Sequence, residues 1–268
     1  MICIVWQKRT LRRSSQARRW GFCYALAVHA EQFVYPALNA PLIEAYDQAY
    51  ESAYILLHPF VRVPEALAWK ATRQYPDDAQ ILSQGRKCRW AEAARGAGIR
   101  NCAQMSQALL TSIGAIDECL RDYESRDALQ RYLQAEPVWM PTEGRFEPLL
   151  QADLLDAFES AGYEELVFVP EFPATDPPRR ISVNALKNRE TEFPTRGSLV
   201  APDARFLFTV DWDSFFTLFY GPRLLVDEVV KARGLEGFYA EKETEHFWFN
   251  WKMGCATVTV APEGWTAL

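Results

Sequence analysis

The stretch RFLFTVDW, residues 205–212, decides the fold class, because it places apolar, aromatic and β-branched residues in a run of strand length. After Gly162 the same texture recurs in four further runs. One helix interrupts them: it begins at Pro222, buries a stripe of leucine and valine, and ends at Gly234. We therefore predict a sheet covered by that helix. The other predicted strands are 166–169, 237–240, 246–251 and 256–260.

The first 161 residues have a helical texture instead. Between residues 39 and 57, apolar residues recur every three or four positions, Asn39 can cap a helix, and Pro41 suits its first turn. Helices followed by strands favour an α+β protein over a doubly wound one. We predict a helical N-terminal half at 38–161 and a mainly antiparallel C-terminal sheet within 162–268, packed together as one unit. Further helices are predicted at 89–96, 105–120, 127–134 and 149–158.

The composition is that of a folded protein and excludes a disordered or fibrous one: 268 residues, 49% apolar and 24% charged. No apolar run approaches the ~20 residues that span a bilayer, so no transmembrane helix is predicted.

The net charge of −6 is unevenly distributed along the chain. Residues 1–30 hold six bases and no acid, which leaves 23 bases against 35 acids in residues 31–268. Residues 31–268 are therefore strongly acidic, and such a surface repels nucleic acid and anionic membranes and attracts basic partners.

Residues 1–37 are predicted to be a basic, poorly ordered leader or extension. A basic head, an apolar stretch at 20–28 and small residues near position 30 have the outline of an export signal. The apolar stretch is short and is broken by Gly21, which favours a dispensable extension of a cytoplasmic protein. Deletion of residues 1–30 is expected to leave the melting temperature nearly unchanged.

The cysteine, glycine and serine patterns carry no strong chemical motif. Six cysteines show no CxxC and no paired short spacing, which excludes zinc-finger and thioredoxin-type motifs. We interpret them as free thiols of a reducing cytoplasm. The glycines form neither a P-loop nor a dinucleotide fingerprint, and no serine sits in a nucleophile elbow. We therefore predict no cofactor.

Asp211 and Asp213 lie at the end of the predicted strand 205–212, where strand alternation places their carboxylates on one face, about 6.6 Å apart by rise. Such a pair is a candidate site for a divalent cation in an enzyme, with Glu236 or His246 as companions, and His246 is also a candidate acid or base. The alternative is a capping or turn role at the strand end. The enzyme hypothesis requires both aspartates to point into a concave pocket, within reach of a third carboxylate or histidine.

A second alternative function is DNA binding through residues 86–110. This segment holds five bases against one acid, and AEAARGAGIRNCAQMSQALL suggests a helix, a glycine turn and a second helix. The competing interpretation is a helical hairpin whose basic face pairs with the protein's own acidic surface.

The leading hypothesis is a non-enzymatic binding protein that recognises a basic protein partner, as an immunity-type or regulatory protein does. It depends on three observations: the acidic charge of residues 31–268, the scarcity of catalytic motifs, and the tryptophans and tyrosines that lie near acidic residues in the C-terminal half. The competing interpretation is that these aromatic residues fill the core of the sheet. No nucleic-acid or membrane partner is expected, and the oligomeric state stays open. The candidate binding residues are Tyr220, Tyr239, Glu243, Glu245, Trp248 and Trp251.

Four stretches resemble an uncharacterised bacterial family, the domain of unknown function numbered 2711. They are AYILLHPF (53–60), LLTSIGA (109–115), DWDSFFTLFYGP (211–222) and LEGFYAEKETEHFWF (235–249). The resemblance extends from about residue 38 to the end of the chain. It implies a bacterial, cytoplasmic protein, and it supplies no activity, cofactor or catalytic residue.

Overall fold

A computed structural model describes residues 30–248 of the chain, and within them the strands form two antiparallel sheets. The larger has the strand order β10-β1-β9-β8-β7-β5-β6 and the smaller β3-β2-β4. The strands are β1 Ser52–Leu57, β2 Phe60–Arg62, β3 Arg86–Cys88, β4 Val138–Trp139, β5 Glu165–Val169, β6 Arg179–Ser182, β7 Gly197–Val200, β8 Leu207–Val210, β9 Phe216–Gly221 and β10 Gly237–Tyr239.

Helices cover both faces of the larger sheet. One layer holds α3, α4 and α5, and the opposite layer holds α6, α7 and α8. The α-helices of the described residues are α1 Trp69–Thr72, α2 Asp78–Gln84, α3 Trp90–Ala97, α4 Cys102–Ile113, α5 Tyr123–Ala135, α6 Gln151–Ser160, α7 Val183–Lys187 and α8 Arg223–Arg233. Short 3₁₀ helices lie at Ala30–Phe33, Leu42–Gln48, Glu65–Leu67, Glu118–Leu120 and Pro148–Leu150.

Strand β1 lies inside the larger sheet, between β9 and β10. Ile55 pairs with Leu218 on one side and with Phe238 on the other. Successive side chains point to opposite faces of a strand, so Ile55 packs with the layer of α3 to α5 while Leu56 packs with the layer of α6 to α8. Because both faces are covered, every residue of β1 is buried.

The helix predicted at 39–57 is wrong over its second half. Residues 42–48 form a 3₁₀ helix that ends in a left-handed turn at Tyr46, Asp47 and Gln48, and residues 52–57 are β1. The error has a physical reason. A strand that is buried on both faces shows no alternation of apolar and polar residues, so its apolar run can match a helical spacing by coincidence.

The α+β class and most of the predicted helices are confirmed. The structure has helices close to the predicted spans in the regions 89–96, 105–120, 127–134, 149–158 and 222–233, and strands within 166–169, 205–212 and 237–240. Strands β1 to β4, β6, β7 and β9 were not predicted, and the first four of them lie in the half predicted to be helical. Residues 246–248 form a turn and not the start of a strand, while 249–251 and 256–260 lie outside the described residues.

The smaller sheet has a separate hydrophobic core. Val61, Val63, Ile81 and Trp139 are buried together in it, and Leu67 and Leu149 pack around them. Its central strand β2 follows β1 after only two residues. The smaller sheet therefore lies near the end of β1, and a cavity opens beside its strand β4.

The predicted leader lies mostly outside the described residues, which begin at residue 30. Its last residues contact the body of the protein: the Phe33 carbonyl accepts a hydrogen bond from Ser198, and Tyr35 is hydrogen-bonded to His246. None of the helices within residues 30–248 combines the length and the apolar composition that crossing a bilayer requires.

Candidate ligand-binding cavity

The cavity has a volume of about 940 Å³, within the range of small-molecule sites. Its walls come from three separate parts of the chain: the segment from α1 to the start of α2, the last turns of α5, and the segment from β4 to residue 145. Phe215, in the turn between β8 and β9, closes one side. The lining residues are Trp69, Tyr75, Pro76, Asp77, Asp78, Gln130, Leu133, Gln134, Val138, Trp139, Met140, Pro141, Thr142, Glu143, Arg145 and Phe215.

Three aromatic rings form one wall of the cavity. The ring centroids of Trp69 and Trp139 are 5.3 Å apart with an interplanar angle of 81°, and those of Tyr75 and Trp139 are 5.4 Å apart at 69°. The Trp139 indole N–H donates to the Leu67 carbonyl, and the Tyr75 hydroxyl donates to the Met140 carbonyl. Since these polar atoms are already satisfied by the protein, the Trp139 and Tyr75 rings are held in place before any ligand arrives.

The charged lining is mostly acidic. Asp77 caps the N-terminus of α2, and Asp78 forms an ion pair with Arg145. Glu143 is exposed and belongs to the lining segment 138–145. Desolvation and the charge of Asp213 raise the pKa of Glu143. The Arg145 Nε is buried and has no hydrogen-bond acceptor among the described residues. A ligand acceptor atom could satisfy that N–H.

A buried hydrogen-bond network holds the wall residue Thr142 in place through Glu147 and His58. The Glu147 carboxylate accepts hydrogen bonds from the amide and hydroxyl of Thr142, the amide at 2.9 Å. Burial raises the Glu147 pKa, and these hydrogen bonds oppose the rise. Thr142 in turn accepts from His58 through its carbonyl oxygen. A wall residue of the cavity is thus tied to the end of β1.

His58 carries a defined proton at the centre of this network. Its Nδ1 lies 3.1 Å from the Thr142 carbonyl oxygen and its Nε2 lies 2.9 Å from the Thr217 hydroxyl. A carbonyl oxygen can only accept, so Nδ1 bears the hydrogen and Nε2 accepts from Thr217. Burial lowers the pKa of His58 to about 4, which keeps the ring neutral near pH 7.

Gly144 joins the cavity segment to the turn between β8 and β9. Its φ is +63°, in the left-handed region, and a Cβ placed there would lie only 1.8 Å from the Trp212 carbonyl oxygen. Its amide donates to the Ser214 carbonyl at 2.9 Å, and its own carbonyl accepts from the Arg196 Nε at 3.0 Å. The turn that contains Asp211 and Asp213 therefore supports the cavity wall.

The two aspartates do not line this cavity. Asp211 follows the end of β8, and its carbonyl accepts from the amide and hydroxyl of Ser214 in the turn. Its carboxylate Oδ2 lies 3.9 Å from the His246 Nε2, beyond hydrogen-bond distance. Asp213 is also absent from the lining, although its charge acts on the lining residue Glu143. Strand alternation does not relate the pair, because β8 ends at Val210.

His246 is buried behind Asp211 and not in the cavity. Its Nδ1 is hydrogen-bonded to the Tyr35 hydroxyl at 2.7 Å, and burial lowers its pKa to about 3. The suggested companion Glu236 caps α3 instead, since its carboxylate accepts from the amides of Trp90 and Ala91. Within residues 30–248, no group of three or more histidine, cysteine, aspartate or glutamate residues could hold a metal ion.

The predicted partner-binding residues are spread over several environments. Tyr220 is 1% exposed and donates to the Leu42 carbonyl, so it belongs to the core. Tyr239 donates to Asp227 and stacks against Arg223, and Trp248 packs on Phe238 in the core. Glu243 is exposed and Glu245 is half-buried in the segment before the 246–248 turn. Trp251 lies outside the described residues.

The segment 86–110 forms β3, α3 and most of α4, with a short turn between the helices. Lys87 forms an ion pair with Asp153, and Arg89 donates to the Gly234 carbonyl at 3.4 Å. Helix α4 contains neither lysine nor arginine, and it buries Met105 and Leu109 against the sheet. Two of the five bases, Lys87 and Arg89, thus contact other parts of the protein, and one of these contacts is with an acid.

Sequence reasoning missed the cavity because its walls are separated along the chain. The segments AWKATRQYPDD (68–78) and VWMPTEGR (138–145) each place tryptophan near proline, acid and arginine outside any long apolar run. Aromatic residues in such interrupted stretches fall in short elements or loops, and this signal could have identified Trp69, Tyr75 and Trp139 as wall residues.

Comparison with known proteins gives a family and one relative. A family model described as a protein of unknown function (DUF2711) matches residues 39–250. The chain is similar to the uncharacterized protein YwbB of Bacillus subtilis (strain 168), with 23% identity over 221 residues, which cover 79% of this chain and 96% of that protein. No solved structure matches the chain.

Proposed function

The chain belongs to the DUF2711 family, and from that premise we propose that it is a non-enzymatic binding protein whose ligand occupies the cavity between α1, α2, α5 and β4. The observation that carries this proposal is the cavity itself, of about 940 Å³, with aromatic rings held in place by their own hydrogen bonds. A preformed apolar cavity with a few convergent polar groups is the usual form of a small-molecule site.

Three further features support binding over catalysis. The buried Glu147 and His58 use their polar atoms to hold Thr142, so they act on the cavity wall and not on its contents. The aspartate pair lies outside the cavity lining. A cytoplasmic location is part of the proposal, and the free thiols at Cys88, Cys102 and Cys119 are in keeping with it.

A neutral fluorescent probe tests the proposal. N-phenyl-1-naphthylamine becomes strongly fluorescent in apolar surroundings, and we expect it to bind the full chain saturably at one molecule per chain. The variant Gln134→Trp fills the cavity from an exposed position on α5. It should weaken the binding of this probe about tenfold or more, which corresponds to about 1.4 kcal/mol.

The matched control is Ala135→Trp. Residue 135 is the exposed neighbour of Gln134 at the end of α5, and it does not line the cavity. This variant should bind the probe like the unmodified chain. Equal affinity in all three proteins, or no saturable binding at all, would show that the cavity is not the ligand site.

A further inference from the structure

We propose that the ligand of this cavity is an organic cation: a small molecule with a flat apolar body and a positively charged ammonium or guanidinium group. This inference rests on the proposed function, since it names the chemical class bound at the same site. Three features of the lining carry it: its charge, its aromatic wall and its size.

The charge of the lining is complementary to a cation. Asp77, Asp78 and Glu143 contribute three negative charges, and Arg145 is the one basic residue among the described lining residues. Because Arg145 forms an ion pair with Asp78 through one terminal nitrogen, the charges of these two residues cancel, while its buried Nε–H remains open to a neutral acceptor atom on the body of the ligand. The two remaining acids leave the cavity with a net charge of −2 near pH 7, so a cation is attracted and an anion is repelled.

The acid at the rim is held in an unfavourable environment that a cation would relieve. Desolvation and the charge of Asp213 both raise the pKa of Glu143, while the charge of Arg196 opposes them only in part. Arg196 is already engaged, because it donates to the Gly144 carbonyl and pairs with Glu171. A positive charge placed between Glu143 and Asp213 would remove this like-charge repulsion.

The aromatic wall suits the same chemistry. A cation is attracted to the face of a tryptophan or tyrosine ring within about 6 Å of its centroid, and organic ammonium groups are recognised by several rings set at angles to one another. Trp69, Trp139 and Tyr75 have this arrangement, with each neighbouring pair steeply inclined. Trp69 and Tyr75 remain 38% and 39% exposed, so their rings are open to a ligand.

The size of the cavity favours a small molecule over a protein side chain. A volume of about 940 Å³ is far larger than one lysine or arginine side chain, and it suits a drug-sized ligand. The apolar residues Leu133, Met140 and Phe215 extend the wall beyond the three rings. The body of the ligand would cover that surface while its cation meets the acidic rim.

Three probes of one shape test the inference by titration calorimetry at low salt. They are a naphthylmethyl group bearing a trimethylammonium, its neutral carbon isostere with a tert-butyl group, and a sulfonate of similar size. We expect the cation to bind about tenfold more tightly than the neutral isostere, and the sulfonate to bind most weakly. Added salt should weaken the binding of the cation only.

Charge-removing variants locate the effect. Asp77→Asn keeps the cap of α2, because asparagine caps as well as aspartate, and Glu143→Gln alters an exposed residue. Each should reduce the preference for the cation about threefold and leave the neutral isostere unaffected. The matched control is Glu228→Gln, an exposed acid on α8 across the sheet, which should change neither affinity.

The outcomes separate this inference from the proposed function. If the neutral isostere binds as tightly as the cation, or the sulfonate binds best through Arg145, the cation inference is overturned while the cavity remains a binding site. If a lysine-rich peptide binds at the cavity and the free cation does not, the ligand is a protein and the inference again fails. If none of the three probes binds, the proposed function fails as well.

Discussion

Two groups of aromatic residues in this protein differ in solvent exposure. Phe206, Phe208 and Phe219, on or beside β8 and β9, are completely buried between the sheet and α6. Trp69, on the four-residue helix α1, and Tyr75, in the loop before α2, stay more than a third exposed at the cavity. The difference teaches that the regularity of the surrounding element, and not the local density of aromatic residues, decides whether a ring enters the core or forms a site.

The largest expected effect separates these two groups directly. Phe208→Ala should lower the free energy of unfolding by about 4 kcal/mol, because it leaves a hole beside Phe219, whose ring centroid is 4.3 Å away. Trp69→Ala should cost about 1 kcal/mol or less, yet abolish probe binding. Denaturant unfolding of both variants measures this. Similar losses of stability would contradict the distinction between core and wall.

Much of the fold could be predicted from the sequence where the period of each element is clear. Helices α3 to α6 and α8, and the strand at 207–210, show regular spacing and recognisable ends, so the α+β class follows from them. Strand β1 could not be predicted, because burial on both faces removes the alternation that marks a strand. The cavity could not be predicted either, since no local pattern records that residues 69–78, 130–134 and 138–145 meet in space.

The second prediction concerns the contact that joins the cavity wall to the β8–β9 turn. Gly144→Ala should lower the free energy of unfolding by about 3 kcal/mol, because it adds left-handed strain to a collision with the Trp212 carbonyl. Gly98→Ala is the matched control: φ is +73°, nothing lies within 4 Å, and strain alone should cost about 1 kcal/mol. Equal losses in urea unfolding would show that the close approach to Trp212 is unimportant.

The third prediction follows the buried histidine behind the cavity wall. In the unfolded chain His58 takes up a proton below pH 6.5, whereas the folded protein resists protonation until about pH 4. Between these values the unfolded state binds more protons, so stability falls as the pH falls. From pH 6.5 to pH 5 the loss due to His58 should approach about 2 kcal/mol.

Glu147, whose pKa is raised by burial, acts in the opposite sense, so the contribution of His58 must be isolated. The difference between the unmodified chain and His58→Asn, measured by urea unfolding at each pH, provides it. If that variant does not fold, the imidazole resonances of His58 in the unmodified chain give an independent answer. A midpoint of titration near pH 6.5 would rule out the buried neutral ring.

The smallest expected effect is at the two aspartates that look most like a metal site in the sequence. Asp211→Asn should leave stability at pH 7 unchanged or slightly raised, because burial already disfavours the charged form and raises its pKa. Asp213→Asn should change stability by less than about 0.5 kcal/mol, as surface substitutions usually do. Both predictions follow from their place in a turn that supports the cavity wall.

A thermal-shift series with magnesium, manganese and calcium completes this comparison. A cation held by Asp211 and Asp213 at a concentration 100 times its dissociation constant would stabilise the fold by about 2.7 kcal/mol, and both variants would lose that gain. The structure leads us to expect no shift, because His246 is turned toward Tyr35 and the aspartates lie on a turn outside the cavity. A manganese-dependent rise in melting temperature that disappears in both variants would assign the chemistry of this protein to the turn and not to the aromatic cavity.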